Sequence, residues 1–197
     1  MPAMLRSLGI DVFHSTNYMI PLPAFPRDRP GGIKCIVTLH DLIPLVFPEY
    51  VPRSRKKRLF PVYRMLMLEV ARRSDAIITV SRSSREDILK HLRIPDARAD
   101  RVIVIPEGVS RRFKPLPAAD RRPGRKTILW VGRADPYKNL EALIRAFARL
   151  REEQRGGVRL MLVGPKDARY PEASRLASDL GIAPDVEWTG YLGDEAL

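Results

Sequence analysis

Short, nearly continuous apolar runs alternate along the chain with stretches of helical periodicity. Three such runs are Ile33–Leu39, Asp75–Val80 and Val158–Val163, and each is typical of a strand buried within a parallel sheet. After the similar run Thr127–Val131, apolar residues recur at helical spacing at Leu140, Leu143, Ile144, Phe147 and Leu150. Strands that alternate with helices predict an α/β fold with parallel sheets and right-handed crossovers.

A segment rich in arginine and proline divides this pattern into two halves. We expect residues 1–109 to form one doubly wound domain, residues 110–125 a linker, and residues 126–197 a second such domain that faces the first across a cleft. The second half shows few candidate strands, whereas sheets in α/β domains usually have more. Both domains are therefore expected to be incomplete, and the chain to be an internal fragment of a larger protein.

Composition places the chain among folded globular proteins, with 45% apolar and 29% charged residues. No apolar run approaches the roughly 20 residues that a membrane-spanning helix needs. The single cysteine, Cys35, cannot form an internal disulfide, which fits a reducing compartment. The sequence therefore predicts a cytoplasmic location.

The chain is strongly basic, with a formal net charge of +12. Its densest basic run, Arg53–Arg58, opens the predicted helix Ser54–Arg73 and is typical of a solvated helix face. Peripheral contact with anionic lipid at the inner face of the membrane is the second interpretation. Nucleic acid is not an expected partner, because no helix-turn-helix, zinc-finger or aromatic RNA-binding signature accompanies the arginines.

The loop after Thr127–Val131 combines three features of an anion site. Gly132 stands at the end of the strand and lets a ligand approach the backbone. Arg133 and Lys138 follow, and a helix begins at Asn139, so that two cations lie where open α/β sheets bind ligands. We interpret the loop as a clamp for a diphosphate; ordinary solvated loop charges are the alternative.

Several other chemistries lack their sequence patterns. The chain has no G-x-x-x-x-G-K-[ST] loop, no G-x-G-x-x-G fingerprint after a strand and no G-x-S-x-G elbow. Its three histidines and one cysteine are not spaced as a metal site. We therefore expect neither a metal nor a cofactor, and phosphate would be bound by Arg, Lys and backbone amides.

The ordered segments resemble the family-4 retaining glycosyltransferases, which have the GT-B fold of two Rossmann-like parallel-sheet domains. The resemblance covers nearly the whole chain. It is carried by Asp-Val-Phe-His-Ser at 11–15, Thr-Leu-His-Asp-Leu at 38–42, Asp-Ala-Ile-Ile-Thr-Val-Ser at 75–81, Val-Ile-Pro-Glu-Gly-Val at 104–109, Val-Gly-Arg at 131–133 with Lys-Asn-Leu at 138–140, Leu-Val-Gly-Pro at 162–165 and Thr-Gly-Tyr at 189–191.

The resemblance implies that a hexose passes from a nucleotide-sugar to a glycan or lipid-linked acceptor, with retention and without a metal. Gly132, Arg133 and Lys138 would then bind the donor diphosphate. His14 would be the catalytic-site histidine that contacts the donor sugar, and the segment Tyr191–Leu192 would line the pocket for the nucleotide base.

The acceptor side and the departures from the family pattern leave alternatives open. His40 and Asp41 either line the acceptor side or pair with each other, and Ser81 is interpreted as a helix cap. Glu107 stands where the family commonly has Asn, so its carboxylate is expected to point away from the diphosphate or to tune substrate choice. The glutamate pair that contacts the donor in the family is absent from these 197 residues, so the isolated chain is expected to be inactive.

Two competing functions remain. A nucleotide-sugar epimerase of GT-B fold would use the same clamp but would also need acid–base carboxylates. A non-catalytic basic module would instead bind nucleic acid or anionic membrane, and steeply salt-dependent DNA binding would favour it.

Overall fold

The structure, a computed structural model, describes residues 2–26, 32–50, 59–111, 113–115, 126–153, 157–165 and 167–193. It divides into two compact units, Met1–Glu49 with Ser54–Phe113, and Tyr50–Arg53 with Lys114–Leu197. The basic run 53–58 and most of the predicted linker 110–125 lie outside the described residues. The domain boundaries given above therefore stay predictions.

The first unit is built on a parallel sheet with four described strands. The strands are β1 (Val12–Ser15), β2 (Lys34–Thr38), β3 (Ala76–Thr79) and β4 (Val102–Val104), in that spatial order. The helices are α1 (Pro2–Ser7), α2 (Ile43–Val46), α3 (Phe60–Arg73) and α4 (Arg82–His91). The predicted helix Ser54–Arg73 is thus seen as α3, since residues 51–58 lie outside the described ranges.

One face of this sheet carries the core of the first unit. Alternate residues of β2 and β3, such as Val37 and Ile77, are fully buried in one apolar cluster with Met67 and Val70 of α3 and Ile88 of α4. The residues on the opposite face are more accessible: Val12 is 51% and Ile103 45% exposed. These two exposed residues belong to β1 and β4, whereas Ile36 of β2 and Ile78 of β3 are half-buried on the same face.

The second unit is built on a three-stranded parallel sheet in the described part of the chain. Its elements are β5 (Lys126–Val131), α5 (Leu140–Glu153), β6 (Val158–Val163), α6 (Glu172–Asp179) and β7 (Val186–Gly190). The sheet order is β5-β6-β7, so β5 is an edge strand. The core forms where α5 and α6 pack on one face, around Ile144, Phe147, Leu160 and Ala177.

The run Thr127–Val131 lies in β5, but the prediction that this strand is buried is wrong. Ile128 and Trp130 pack against the core, but Leu129 is 50% and Val131 54% exposed on the other face.

Consecutive strands are neighbours in both sheets, and the order does not reverse among the described strands. Crossovers of one hand then place successive helices on the same face. A doubly wound sheet needs a reversal of strand order to place helices on both of its faces. The described strands do not show the reversal that the predicted doubly wound domains require.

Local signals at the helix ends were predicted more accurately. Ser81 is the N-cap of α4, since its hydroxyl accepts a hydrogen bond from the Ser84 amide at 3.0 Å. Asn139 directly precedes α5, but it is left-handed (φ 50°), and a 3₁₀ turn, Pro136–Lys138, occupies the loop before it.

Candidate functional site

The carboxyl ends of β5 and β6 meet through two glycines. The Gly132 amide donates to Val163 O at 2.9 Å, and the Gly164 amide donates to Gly190 O at 2.9 Å. A Cβ on Gly164 would lie 1.8 Å from Gly132 O, so the two backbones touch and only glycine fits there. A Cβ on Gly132 would meet only the neighbouring Trp130 indole, at 3.1 Å. The strict need for glycine thus falls on Gly164, which sequence reasoning did not single out.

Arg133 is held by a carboxylate within its own loop. Its Nε lies 3.3 Å from Asp135 Oδ2 and its Nη2 lies 3.5 Å from Asp135 Oδ1. The Asp135 side chain is 3% exposed, whereas that of Arg133 is 61% exposed. The buried carboxylate therefore anchors the guanidinium and offsets part of its charge, while leaving much of its surface accessible. Sequence reasoning counted the two cations and missed Asp135, although it stands only two residues after Arg133.

Lys138 has a different environment in the same loop. Its Nζ lies 5.1 Å from the centroid of the Tyr137 ring, and its side chain is exposed. Within the described part of the chain it makes no salt bridge. The loop from Gly132 to Asn139 thus carries one anchored cation and one unpaired cation at the amino end of α5. Lys138 can therefore meet an anion without an ion pair being broken first, and Arg133 offers the accessible part of its guanidinium while it stays paired with Asp135.

One cavity beside this loop is lined by aromatic side chains. It has a volume of about 390 Å³, and we call it the tryptophan pocket. Its lining includes Trp130, Gly132, Gly164, Tyr170 and Trp188. Neither Tyr191 nor Leu192, the predicted base-pocket residues, lines it. Tyr191 is 80% exposed just beyond β7, so the role predicted for these two residues stays a prediction.

The loop beside the tryptophan pocket contains a close ion pair. Asp167 accepts two hydrogen bonds from Arg169 Nε, at 2.9 and 3.1 Å, and one from the Arg169 amide at 3.0 Å. The side-chain hydrogen bonds of Arg169, followed by that of its backbone, lower the pKa of Asp167 to about 2. Arg169 therefore neutralises the negative charge of Asp167 within the same loop, so Arg133 is not required for this.

In the first unit, His14 lies within β1. Its Nε2 is 2.9 Å from the hydroxyl of Thr38, the last residue of the neighbouring strand β2. His14 pairs in register with Ile36 on the more accessible face of the sheet. The contact fixes the ring near the carboxyl end of β2; a role toward a sugar stays a prediction.

His40 and Asp41 do not pair with each other. His40 Nδ1 lies 3.0 Å from Glu107 Oε1, and Asp41 Oδ1 accepts the Ile43 amide at 3.0 Å at the start of α2. Glu107 therefore contacts His40, and its expected orientation relative to the diphosphate stays a prediction. Burial raises the pKa of Tyr63 to about 12, and the electrostatic interactions of Tyr63 with Tyr18 and then Asp41 contribute to the same shift.

Two general features complete the description. No helix in the described ranges is long and apolar enough to cross a membrane. The described His, Cys, Asp and Glu residues form no group of three or more that could hold a metal ion.

Comparison with known families and structures accounts for nearly the whole chain. The model of Glycosyltransferase Family 4 matches residues 1–113, and that of Glycosyl transferases group 1 matches residues 116–197. Among solved structures, WaaG, a glycosyltransferase involved in lipopolysaccharide biosynthesis, aligns with a TM-score of 0.64 at 18% identity, over 98% of this chain and 52% of WaaG. TarM aligns with a TM-score of 0.61 at 15% identity, over 98% of this chain and 36% of TarM. These neighbours and the two parallel sheets confirm the predicted α/β fold of the GT-B type.

Curated relatives are longer proteins from Escherichia coli. The serotype-specific mannosyltransferase WbdA is 29% identical over 195 aligned positions, gaps included, and the match covers 93% of this chain and 23% of WbdA. The O-antigen chain mannosyltransferase B is 24% identical over 201 aligned positions, gaps included, and the match covers 98% of this chain and 49% of the relative. The chain thus spans less than half the length of these two relatives. Because the Glycosyltransferase Family 4 model matches more than half of the sequence, this chain belongs to that family.

Proposed function

We propose that this chain forms part of a glycosyltransferase that moves a hexose from a nucleotide-sugar to a glycan or lipid-linked acceptor, with retention and without a metal ion. The observation that carries the proposal is the loop Gly132–Asn139, in which Asp135 anchors Arg133 and leaves Lys138 unpaired. The names of the relatives support mannose as the hexose. The proposed donor is therefore a nucleoside-diphosphate mannose.

The loop would act by differential binding. During transfer the bond between the anomeric carbon and the donor phosphate oxygen breaks, and the departing diphosphate gains negative charge. A fixed positive pair interacts more strongly with that product-like charge than with the intact donor, and this lowers the barrier. Loss of one such pre-organised group typically costs roughly 10²–10³ in rate.

Binding of a nucleoside diphosphate tests the proposal directly. Both tryptophans of the chain line the pocket beside Gly132, so GDP or UDP can be titrated while their fluorescence is followed. We expect Arg133→Ala and Lys138→Ala each to weaken binding about tenfold, since each removes a charged contact of about 1.5 kcal/mol or more.

Arg149→Ala is the matched control, because it removes the same charge from the exposed surface of α5. It should leave the affinity within twofold of wild type. An equal loss in all three variants would mean that only the overall positive charge attracts the nucleotide. A steep salt dependence of DNA binding, together with absence of nucleotide binding, would favour the non-catalytic basic module.

We further propose a cytoplasmic protein in peripheral contact with anionic lipid at the inner face of the membrane. Support comes from α3, where Val62 and Met65 are 54% and 61% exposed one turn apart, and from Leu59 just before the helix, which is 58% exposed. This apolar stripe follows directly after the basic run 53–58. Basic residues beside an exposed apolar helix face favour an anionic membrane surface.

Vesicle sedimentation tests this contact. The chain should bind vesicles that contain phosphatidylglycerol and not pure phosphatidylcholine vesicles, and Val62→Ser with Met65→Ser should weaken binding. The double variant Leu129→Ser with Val131→Ser removes similar exposed apolar surface from the second unit and serves as the control. Equal binding to both vesicle types would contradict the proposal.

A further inference from the structure

The contact between His40 and Glu107 joins two distant parts of the first unit. His40 stands two residues after β2, and Glu107 three residues after β4, so that both follow strand ends at the same edge of the sheet. Their side chains meet at 3.0 Å although they are 51% and 67% exposed. An exposed contact of this kind, whether the ring is charged or neutral, contributes at most about 1 kcal/mol to folding. Stability alone therefore does not account for it.

The chemistry of the two groups fixes the proton on one ring nitrogen. An ionised carboxylate has no hydrogen to donate and can only accept. Since Glu107 Oε1 contacts Nδ1 of His40, Nδ1 must carry the hydrogen, and in the neutral ring Nε2 keeps its lone pair. Across the described residues, Nε2 of His40 has no hydrogen-bond partner. Asp41 does not compete for the ring, because its carboxylate is engaged by the Ile43 amide.

A carboxylate at this position is more restrictive than an amide. Asparagine or glutamine could turn either its oxygen or its NH₂ group toward Nδ1, and would thus allow either tautomer. Glutamate allows one. The acceptor atom of His40 is then oriented before any ligand arrives, and this reduces the cost of ordering it on binding.

We propose that Glu107 is a positioning residue that holds His40 in the Nδ1–H tautomer, so that Nε2 accepts a hydrogen bond from a hydroxyl of the acceptor sugar. The inference rests on the proposed function for the identity of the ligand as a sugar. The tautomer itself depends only on the contact between the two side chains.

The tautomer can be measured on the full 197-residue chain with ¹⁵N-labelled histidine. The imidazole nitrogens are observed by long-range ¹H–¹⁵N correlation at pH 8.5, and the three histidines are assigned with His14→Gln and His91→Gln. We expect His40 to be the Nδ1–H form in the wild type and to shift mainly to the Nε2–H form in Glu107→Ala. Glu107→Gln should give a mixture of both forms.

Glu86→Ala is the control, since it removes an exposed carboxylate from the same unit on α4. It should leave the His40 signals unchanged. An Nε2–H tautomer in the wild type, or an unchanged tautomer in Glu107→Ala, would overturn the proposal.

Sugar binding is tested with an α-linked mannose disaccharide. The His40 Nε2 resonance should shift on titration of the wild type, and Glu107→Ala should bind the disaccharide about three- to tenfold more weakly, as expected for one hydrogen bond. An undisturbed Nε2 resonance would overturn the inference even if GDP binding depends on Arg133 as proposed. Failure of nucleotide binding with a normal Nε2 response would instead count against the donor site alone, so the two failures are distinguishable.

Discussion

Gly164 offers the sharpest test of how the end of β5 is built. In Gly164→Ala the new Cβ would lie 1.8 Å from Gly132 O, and this contact must open to at least 3.4 Å. Both flanking backbone hydrogen bonds, Gly132 N to Val163 O and Gly164 N to Gly190 O, are 2.9 Å long. Normal geometry allows such bonds to lengthen only to about 3.2 Å. The substitution therefore has to break at least one of them.

The expected loss of stability follows from these contacts. Each backbone hydrogen bond contributes about 0.5–1.5 kcal/mol. The φ of Gly164, 153°, adds strain of roughly 1–3 kcal/mol for alanine. We expect Gly164→Ala to destabilise the second unit by about 2–5 kcal/mol, a large part of the stability of a small domain.

Urea unfolding measured by tryptophan fluorescence isolates this effect, because Trp130 and Trp188 are the two tryptophans of the chain and both belong to the second unit. Gly181→Ala has a φ of 65° and nothing within 4 Å of the new Cβ, so it should cost only about 1–2 kcal/mol of backbone strain. Gly193→Ala has neither problem and should stay within about 0.5 kcal/mol of wild type. If Gly164→Ala and Gly193→Ala unfold at the same urea concentration, the close backbone contact is not the reason why glycine is required at position 164.

Three further predictions concern charged and titrating groups. Burial raises the pKa of Tyr63 from 10.0 to about 12. The stabilising contribution of its neutral phenol is therefore complete below pH 10 and is lost as the pH rises through 12. Absorbance titration should show one tyrosine that ionises near pH 12. Arg169 lowers the pKa of Asp167 from 3.8 to about 2. The contribution of this ionised carboxylate is therefore present above pH 3.8 and is lost as the pH falls through about 2, and ¹³C NMR should find it still mostly ionised at about pH 3, where an ordinary aspartate is mostly protonated. Arg73 donates to Leu22 O at 2.8 Å and pairs with Glu69, so Arg73→Ala should lower the free energy of unfolding of the first unit by about 2 kcal/mol, whereas the more exposed Arg72→Ala should cost under about 1 kcal/mol. A urea titration followed by far-ultraviolet circular dichroism measures both, because the two tryptophans report only on the second unit.

Local patterns in the sequence predicted what local physics decides. The strand Val158–Val163 was found with the same bounds as β6, and Ser81 was correctly interpreted as a cap. Both depend on the residue types within a few positions. The exposure of Leu129 and Val131 was missed because it depends on the order of the strands, which pairs residues far apart in the chain.

The candidate site shows the same division. The loop Gly132–Asn139 was located from its composition, yet the anchoring of Arg133 by Asp135 was overlooked although the signal was present two residues away. The contact of His40 with Glu107 spans 67 positions, and only the assembled sheet brings the two loops together. The tryptophan pocket is likewise lined by residues from three strands, so no single stretch of sequence predicts it.

The strictly sequential order of the strands has a consequence for how the protein acquires its fold. Each new strand pairs with the one made just before it, from β1 to β4 and again from β5 to β7. Nascent chains fold domain by domain from the amino end, and short separations in sequence favour rapid folding. The four described strands of the first sheet can thus pair with one another on the ribosome once β4 emerges, before β5 is made.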